Sequence, residues 1–497
     1  MWPFSRKPST PRSAPVFLTN TLSGKKEVFV PLKPGVVTQY TCGPTVYGQA
    51  HIGNLRQYIF SDVLTRVLIQ NGYHVRKVIN ITDVGHLTGE NEGDANQGED
   101  KMEKSSRETG NSASDIADRY TKLFIDDIRA LNINTDAILF PRATHYIQEQ
   151  IAMIQVLEKK GHTYRIHDGI YFDVSTFPGY GKLGNIPQDY IKNGSASTVQ
   201  DRIALAGRGR IKENLEKRNP ADFALWKFSP LGSRRQQEWS SPWGRGFPGW
   251  HIECSAMSKA LLGTEIDIHT GGIDHIPVHH NNEIAQSEGA SGHQFVRYWM
   301  HGAFLTIDEE RIGKSIGNVI YLSEIAERGY HPLAFRYFLL QAGYHSAISF
   351  SWEALGASSE ALNRLWRIAR ELKAETKGMH TASEFSDSMR QILSDDLATP
   401  KALALLWETL RDDDLSPKVR YGVLLTADAV LGLSLAEPPA VSRVSQTIPA
   451  DVQALADERE QARSARDFAR ADELRIHIEN RGYAVEDSAD GAVIVRK

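Results

Sequence analysis

The chain has 497 residues, which at roughly 150 residues per domain predicts about three domains and excludes a single small module. Hydrophobic residues make up 41% and charged residues 24% of the chain, so its composition excludes a disordered or collagen-like protein. Because no run approaches the roughly 18 apolar residues that cross a bilayer and residues 1–16 lack the apolar stretch of a signal peptide, we expect a cytoplasmic protein with no membrane partner. The formal net charge of -4 gives no overall attraction to a polyanion, so a nucleic acid would have to be bound by local basic patches.

The first elements form a predicted strand–helix–strand unit. Residues 1–16, rich in Ser, Pro and basic residues, predict a flexible extension without a core. A strand pattern ends at Gly43, apolar residues at three- and four-residue spacing predict a helix over 59–68, and a β-rich run follows at 75–81. This order predicts an α/β fold with a parallel sheet, whose ligands gather at the carboxyl ends of the strands.

The middle of the chain predicts a loop, two helices and an insertion. Residues 86–113 are almost wholly polar and predict a long surface loop, and helical patterns follow over 116–131 and 146–160. A mixed segment over 161–240 interrupts the fold, and its Gly-, Arg- and Pro-bearing stretch at 206–220 predicts mobility.

The last two fifths of the chain turn from α/β to helical. A second α/β portion is predicted over 250–300, and beyond Ser351 the apolar spacing predicts an α-helical region. At the end, a helical stripe is stopped by Gly482, and a small hairpin is predicted around Asp490-Gly491. The stripe consists of Phe468, Ala471, Leu474 and Ile478.

Two loops carry candidate nucleotide contacts. In the string that runs from Cys-Gly-Pro-Thr to His-Ile-Gly-Asn, Gly53 lets the backbone approach a phosphate closely, while His51 and the helix N-terminus at Asn54 supply donors to an anion. An ordinary turn between strand and helix is the alternative. In the glycine-punctuated loop at 307–318, Lys314 is a candidate cation for a pyrophosphate oxygen, and a solvated basic loop is the alternative.

A third constellation predicts a metal site. His279 and Glu283 stand at i and i+4, so on a helix they share one face. Together with Cys254 and Cys42, which are the only cysteines, they would form a set of two thiolates, one imidazole and one carboxylate that suits Zn²⁺. The ligands lie far apart along the chain, and a core histidine with a surface glutamate remains the alternative.

These strings together resemble the ordered motifs of the cysteinyl-tRNA synthetase family. Their order and spacing match from about residue 18 to the end of the chain. The matching strings are Cys-Gly-Pro-Thr-Val-Tyr and His-Ile-Gly-Asn near the start, Trp-His-Ile-Glu-Cys-Ser at 250–255, His-His-Asn-Asn-Glu at 279–283, Arg-Ile-Gly-Lys-Ser at 311–315, and further stretches at 222–227, 332–337 and 467–475.

The resemblance implies a class I synthetase architecture: a Rossmann-like parallel-sheet catalytic domain with a connective insertion, then an α-helical anticodon-binding bundle and a small C-terminal module. The expected boundaries are 1–16 for the extension, 17–140 and 241–310 for the two halves of the catalytic domain, 141–240 for the insertion, 311–350 for the signature loop and junction, 351–440 for the helical tRNA-binding domain and 450–497 for the helix–hairpin module.

The resemblance also implies roles for individual residues. Catalytic roles fall on His51 and Lys314, and zinc ligation falls on Cys42, Cys254, His279 and Glu283. ATP binding falls on Gly53, Asn54, Asp274 and Lys314, and the amino-acid pocket on Thr45 and Trp250. Three positions depart from the general class I signatures: Asn54 replaces a histidine, Arg311 replaces a lysine, and Gly313 replaces a serine, which loosens the loop.

The implied activity is the ATP-dependent ligation of L-cysteine to tRNA(Cys) through cysteinyl-adenylate. One Zn²⁺ per chain would select the thiolate, Mg²⁺ would accompany ATP, and a monomer is expected. Two alternatives stay open: a ligase that joins activated cysteine to an amino sugar, and an inactive paralogue that binds tRNA or cysteine. The altered loop around Gly313 favours the second of these alternatives.

Overall fold

The computed structural model describes residues 15–85, 87–88, 99–186, 216–229, 235–313, 317–381, 383–439, 449–488 and 491–496. Two compact units divide the chain: Met1–Ala326 with Tyr330–Pro438, and Glu327–Gly329 with Pro439–Lys497. Among the described helices, none is long and apolar enough to cross a membrane.

The elements are numbered in chain order through the described residues. The strands are β1 (Phe17–Asn20), β2 (Lys25–Val28), β3 (Val36–Thr41), β4 (His74–Ile79), β5 (Leu87–Thr88), β6 (Glu99–Asp100), β7 (Ile138–Leu139), β8 (Thr163–Ile166), β9 (Gly169–Phe172), β10 (Phe223–Phe228), β11 (Gly246–Pro248), β12 (Ile266–Gly272), β13 (Val296–Gly302), β14 (Leu305–Ile307), β15 (Glu310–Arg311), β16 (Ile348–Phe350), β17 (Tyr483–Ser488) and β18 (Gly491–Arg496). The helices are α1 (Ile52–Gln70), α2 (Lys101–Thr109), α3 (Ala113–Ala130), α4 (Ile147–Lys159), α5 (Trp250–Leu262), α6 (Asn281–Ser291), α7 (Leu322–Glu327), α8 (Pro332–Leu340), α9 (Trp352–Thr376), α10 (Glu384–Ser394), α11 (Thr399–Arg411), α12 (Pro417–Leu431), α13 (Ala450–Ser464) and α14 (Phe468–Glu479).

A five-stranded parallel sheet organises the larger unit. Its strand order is β13-β12-β3-β4-β7, and every neighbouring pair is parallel. The chain enters at β3, moves outwards to β4 and β7, and returns on the other side of β3 with β12 and β13. This reversal opens a crevice between the carboxyl ends of β3 and β12, where such sheets bind their ligands. The predicted α/β fold with a parallel sheet is confirmed.

An antiparallel sheet of order β11-β10-β9-β8 is formed by three strands within the predicted insertion, 141–240, and by β11, which follows it. Its apolar face joins a core in which the rings of Phe172 and Phe223 stack at 5.1 Å between centroids and Trp226 is fully buried. Of the stretch predicted to be mobile, residues 206–215 lie outside the described residues, and 216–220 lead into β10.

The prediction of a continuous loop over 86–113 is wrong for 101–109, which form α2. The Asp100 carboxylate accepts hydrogen bonds from the backbone N–H groups of Met102 and Glu103, and Gly110 ends the helix at φ 72°. These are end signals of a helix. Apolar periodicity could not reveal it because Met102 is the only large apolar side chain in the helix, and that side chain is buried.

The helices predicted beyond Ser351 are confirmed, and α9 to α12 share a core with the parallel-sheet part of the larger unit. The Ser351 hydroxyl accepts a hydrogen bond from Ala354 N–H at the start of α9. Trp366 of α9 and Val423 of α12 belong to the same buried cluster as Leu64 of α1. Cutting the chain at Ser351 would therefore expose the core of the larger unit.

A fully buried arginine joins the catalytic domain to these helices. Arg336 of α8 donates hydrogen bonds to Leu431 O at the end of α12 (2.6 Å), to Leu131 O after α3 (2.9 Å) and to Oδ2 of Asp62 on α1 (2.6 Å). Arg66 Nε donates to the same carboxylate oxygen at 2.7 Å. We call Arg336, Asp62 and Arg66 the arginine junction.

The smaller unit consists of α13, α14 and the antiparallel hairpin β17–β18 around its own apolar cluster. The predicted helix and hairpin are present, and Ala471, Leu474 and Ile478 are buried as the stripe predicts. Phe468 is the exception at 62% exposure, because it is the first residue of α14 and lies beyond that cluster.

Candidate functional site

The crevice between β3 and β12 receives side chains from four elements. Cys42 follows the last residue of β3, and its backbone N–H donates to Thr270 O of β12. Cys254 lies on α5, whereas Glu283 lies in the first turn of α6. A π-helical turn, Ile276–His280, leads directly into α6 and carries His279. Such turns are rare and occur frequently at functional sites.

The four predicted zinc ligands converge in this crevice. One donor atom each of Cys42, Cys254, His279 and Glu283 lies within 4.8 Å of the other three, and all four residues are buried. His279 Nε2 is 3.0 Å from Glu283 Oε1, so the i, i+4 pair shares a face even though it spans the π-helical turn. Two sulfurs, an imidazole nitrogen and a carboxylate oxygen are a donor set that fits Zn²⁺.

Burial and mutual contacts shape the electrostatics of this set. Burial raises the pKa of Cys42, whereas a hydrogen bond from Cys42 lowers the pKa of Cys254. Burial alone would raise the pKa of Glu283, but the charges and hydrogen bonds of His269 and His279 hold it below the usual range. The site therefore favours the ionised form of the Glu283 carboxylate, and it favours the thiolate form more at Cys254 than at Cys42.

The sequence reasoning missed a second layer of histidines. His269 on β12 places Nε2 3.0 Å from Glu283 Oε2, and His280 places Nε2 3.3 Å from Cys42 Sγ. With Cys42 and Glu283, these two histidines form a second buried group whose donor atoms lie within 4.8 Å of one another. His301 at the end of β13 lies behind them, with Nε2 2.7 Å from His280 Nδ1.

Only part of this layer had a signal in the sequence. Gly271 leaves room for it, since a Cβ there would lie 2.5 Å from the His280 ring. His280 stands next to a predicted ligand, but His269 is one polar residue in an otherwise ordinary buried strand. The register of β12 beside β3 brings His269 to the site, and one sequence does not reveal that register.

The predicted amino-acid pocket residues lie on two sides of the crevice. Trp250 is the first residue of α5, and its ring centroid is 4.7 Å from that of His279. Thr45 lies in the loop after β3, where its backbone forms a parallel bridge with Thr82. Trp250 therefore contacts one candidate metal ligand, His279, while Thr45 belongs to the loop after β3.

The predicted nucleotide loop caps α1. His51 is the N-cap: Asn54 N–H donates to its Nδ1 at 3.4 Å, and its own backbone N–H donates to Asn54 Oδ1 at 3.1 Å. A Cβ at Gly53 would lie 3.0 Å from the His51 ring and 3.3 Å from Ile312. Close packing of the loop thus gives a physical reason for Gly53 that needs no ligand. Asn54 acts in the cap through its side-chain oxygen, and the donor group of the same amide, its NH₂, takes no part in the cap.

The remaining predicted nucleotide contacts are Asp274 and Lys314. Asp274 lies in a short 3₁₀ turn, Ile273–His275, directly after β12. Lys314 lies outside the described residues, as do Ser315 and Ile316. On the described side of that loop, Gly313 N–H donates to Asn318 Oδ1 at 2.9 Å.

Comparisons with known proteins identify the class of this fold. The family model "tRNA synthetases class I (C) catalytic domain" matches residues 28–360, and the model "Cysteinyl-tRNA ligase anticodon binding domain" matches 445–496. Among solved structures, the Mycobacterium tuberculosis methionyl-tRNA synthetase with methionyl-adenylate is similar with a TM-score of 0.53 at 16% identity, covering 81% of this chain and 91% of that one. The Agrobacterium radiobacter K84 agnB2 LeuRS–tRNA–LeuAMS complex is similar with a TM-score of 0.56 at 12% identity, covering 84% and 87%. The catalytic domain is thus of the class I aminoacyl-tRNA synthetase type.

Curated relatives narrow the class to one family. Proteins named cysteine–tRNA ligase from Burkholderia lata and Treponema denticola are 47% and 40% identical, covering 96% and 95% of this chain and 96% and 98% of their own lengths. A third, from Novosphingobium aromaticivorans, is 41% identical over 96% of both chains. The chain belongs to the cysteine–tRNA ligase family, whose members are aminoacyl-tRNA ligases. The resemblance seen in the motif strings is confirmed.

Proposed function

We propose that this enzyme activates L-cysteine with ATP and transfers it to tRNA(Cys), with one Zn²⁺ that recognises the substrate thiolate. The observation that supports the proposal is the convergence of Cys42, Cys254, His279 and Glu283 in the crevice of a class I catalytic domain. When bound, the metal would supply a coordination position that a thiolate fills better than the harder serine hydroxyl. A site built on such a specific bond prefers the correct substrate to its analogue, here serine, by a factor of roughly 10⁴ or more in kcat/KM. A separate editing domain is therefore unnecessary.

The chain's own residues would stabilise the negative charge that develops during both steps of the reaction. In the first step the cysteine carboxylate attacks the α-phosphorus of ATP and pyrophosphate leaves; in the second the terminal ribose hydroxyl of tRNA attacks the adenylate carbonyl and AMP leaves. Both steps place negative charge on oxygens. His51, Lys314 and the N-terminus of α1 would stabilise that charge, with Mg²⁺ accompanying the triphosphate. Gly53, Asn54 and Asp274 would line the nucleotide, and Thr45 and Trp250 the amino acid.

The matched families favour this reaction over the two alternatives. The anticodon-binding model covers 445–496, and relatives named cysteine–tRNA ligase span nearly the whole chain. Such a C-terminal module serves tRNA and has no obvious task in joining cysteine to an amino sugar. Cysteine-dependent exchange of pyrophosphate into ATP, measured together with charging of tRNA(Cys), tests the proposal: exchange without charging would favour the amino-sugar ligase, and neither activity an inactive paralogue.

Lys314→Ala is expected to slow adenylate formation by about 10², as for removal of one charge-stabilising donor, with little change in cysteine binding. The reason is that a cation directed at departing pyrophosphate acts mainly in the transition state. Pyrophosphate exchange and cysteine titration measure the two effects separately. Arg311→Ala, from the same loop, shows whether the second cation of the signature shares the role, and unchanged exchange in Lys314→Ala would assign the role to another cation.

Deleting residues 439–497 is expected to lower tRNA charging by about 10²-fold, because the proposed tRNA-binding module is lost, while pyrophosphate exchange stays within about threefold. Since each factor of ten is about 1.4 kcal/mol, this loss corresponds to about 2.8 kcal/mol of tRNA binding. The deletion removes the Pro439–Lys497 part of the smaller unit, which carries that unit's apolar cluster, and retains α9–α12, which the larger unit needs. Removal of residues 1–14 is the control deletion and should change neither activity. Normal charging by the C-terminal deletion would contradict a tRNA-binding role for this module.

Two arginines of the C-terminal module, Arg470 and Arg475, are paired with glutamates of the same helix. Arg470 Nη1 lies 2.7 Å from Glu473 Oε2, and Arg475 Nε lies 3.2 Å from Glu479 Oε1. The carboxylates of these glutamates partly compensate the charges of the two guanidinium groups. The deletion therefore tests the module as a whole and not a single basic residue.

A further inference from the structure

A line of hydrogen bonds runs from the candidate metal ligand Cys42 to Thr21, the residue directly after β1. Cys42 Sγ lies 3.3 Å from His280 Nε2, and His280 Nδ1 lies 2.7 Å from His301 Nε2. His301 Nδ1 lies in turn 2.8 Å from the hydroxyl oxygen of Thr21. Both rings are buried, and each uses its two nitrogens in this line. We call this sequence of contacts the histidine relay.

The donors and acceptors of the histidine relay determine one another. A hydrogen bond between two ring nitrogens needs one donor and one acceptor, and a neutral imidazole offers one of each. A metal-bound thiolate can only accept, so Nε2 of His280 must donate to Cys42. Its Nδ1 must then accept from Nε2 of His301, and Nδ1 of His301 must accept from the Thr21 hydroxyl. A hydroxyl at position 21 is thus the donor that completes this arrangement.

Hydrogen bonds to β13 hold the backbone at Thr21 in place beside His301. Its backbone N–H donates to Trp299 O of β13 at 2.8 Å. The preceding Asn20 is fastened to the same strand, because its side chain donates to Arg297 O at 2.9 Å and accepts from Trp299 N–H at 3.0 Å. Since β13 also carries His301, the Thr21 hydroxyl and its partner ring are both anchored to this strand.

We infer that Thr21 is a positioning residue for the thiolate-recognising metal site. By donating to His301, its hydroxyl stabilises the tautomers of His301 and His280 in which His280 donates a hydrogen bond to the Cys42 thiolate and orients it. The inference rests on the proposed Zn²⁺ site. Removing an outer partner of a metal ligand typically costs about 10–100-fold in metal affinity, and Thr21 lies at the far end of the line, so we expect the lower value.

Thr21→Val tests the inference because it removes the hydroxyl and keeps the shape. Thr21→Ser restores the hydroxyl, and Thr19→Val on the preceding strand β1 is the matched control, since the Thr19 hydroxyl donates to Asp396 at 2.5 Å and not to a histidine. The full-length protein is titrated with Zn²⁺ against a chelator, and the thiolate-to-metal absorption of the Co²⁺-substituted protein is recorded. We expect Thr21→Val to weaken Zn²⁺ binding about tenfold and to shift the absorption. Thr21→Ser and Thr19→Val should match the unmodified protein.

Three outcomes would overturn the inference. Unchanged affinity and absorption in Thr21→Val would show that the hydroxyl does not act on Cys42, while the proposed metal site would stand. An equal loss in Thr19→Val would reduce the effect to a general disturbance of the strand. If the unmodified protein bound neither Zn²⁺ nor Co²⁺, the proposed metal site itself would fail, and the inference with it. Thr21→Ala removes the same hydroxyl without an added methyl group and is interpreted in the same way if the valine variant does not fold.

Discussion

Cys254→Ala is expected to lose the bound Zn²⁺ and, with it, most of the roughly 10⁴-fold preference for cysteine over serine. Without this sulfur, a buried imidazole, a carboxylate and one thiol remain, so the metal loses one of the two thiolate ligands that bind Zn²⁺ most tightly in this set. Metal analysis gives the zinc content per chain, and pyrophosphate exchange with each amino acid gives the selectivity. Thermal unfolding shows whether the variant is folded.

Ser258→Ala is the matched control for this substitution. Ser258 is buried on the same helix, α5, four residues further along, and lies outside the group of converging donors. It should retain full zinc and full selectivity. A Cys254→Ala protein that keeps one equivalent of zinc would contradict the ligand assignment, as would an unmodified protein with less than half an equivalent in the absence of chelators.

Arg336→Met is expected to destabilise the larger unit by about 3–5 kcal/mol, because removing one partner of a buried ion pair leaves the other charge uncompensated. Burial would raise the pKa of Asp62, but the charges of Arg66 and Arg336 outweigh it and hold that pKa below the ordinary carboxyl value. The arginine junction is therefore fully charged at neutral pH, and its contribution is lost only as the pH falls through the lowered pKa. Urea unfolding measures the change.

Two further variants separate the buried charge from the mere loss of an arginine. Arg367→Met removes a side chain that is 67% exposed on α9, where its nearest carboxylate is 4.0 Å away, and should cost less than about 1 kcal/mol. Asp62→Leu combined with Arg336→Met removes both charges and should recover part of the lost stability. If Arg336→Met lowered the free energy of unfolding no more than Arg367→Met does, the arginine junction would make no contribution of its own to stability.

The sequence was sufficient for the fold class and for the four converging donors because those signals are local. Val36–Thr41, α1 and β4 each carry their own apolar period, and the i, i+4 spacing of His279 and Glu283 implies a shared face before any tertiary contact is known. Family motifs then joined positions that periodicity leaves apart, such as Cys42 and Cys254.

The parts that failed depend on tertiary contacts or on polar end signals. α2 was missed because its evidence is the Asp100 cap and Gly110 rather than an apolar face. His269 was missed because a histidine inside a buried strand has meaning only through the register of its neighbours. Phe468 was predicted to be buried by its period alone, although a helix's first residue can lie beyond the core that the rest of the stripe contacts.

The strand order of the parallel sheet has a consequence for synthesis of the chain. β3 lies at the centre, and its partners β4 and β12 lie at very different distances along the chain: Thr41 and Thr270, which meet across β3 and β12, are 229 residues apart. At roughly 5–20 residues per second, a ribosome leaves that edge of β3 without its partner for about 10–45 s. An unpaired strand edge is a template for pairing with other chains. The reversal that opens the ligand crevice therefore also makes a half-made chain dependent on protection from aggregation until β12 has emerged.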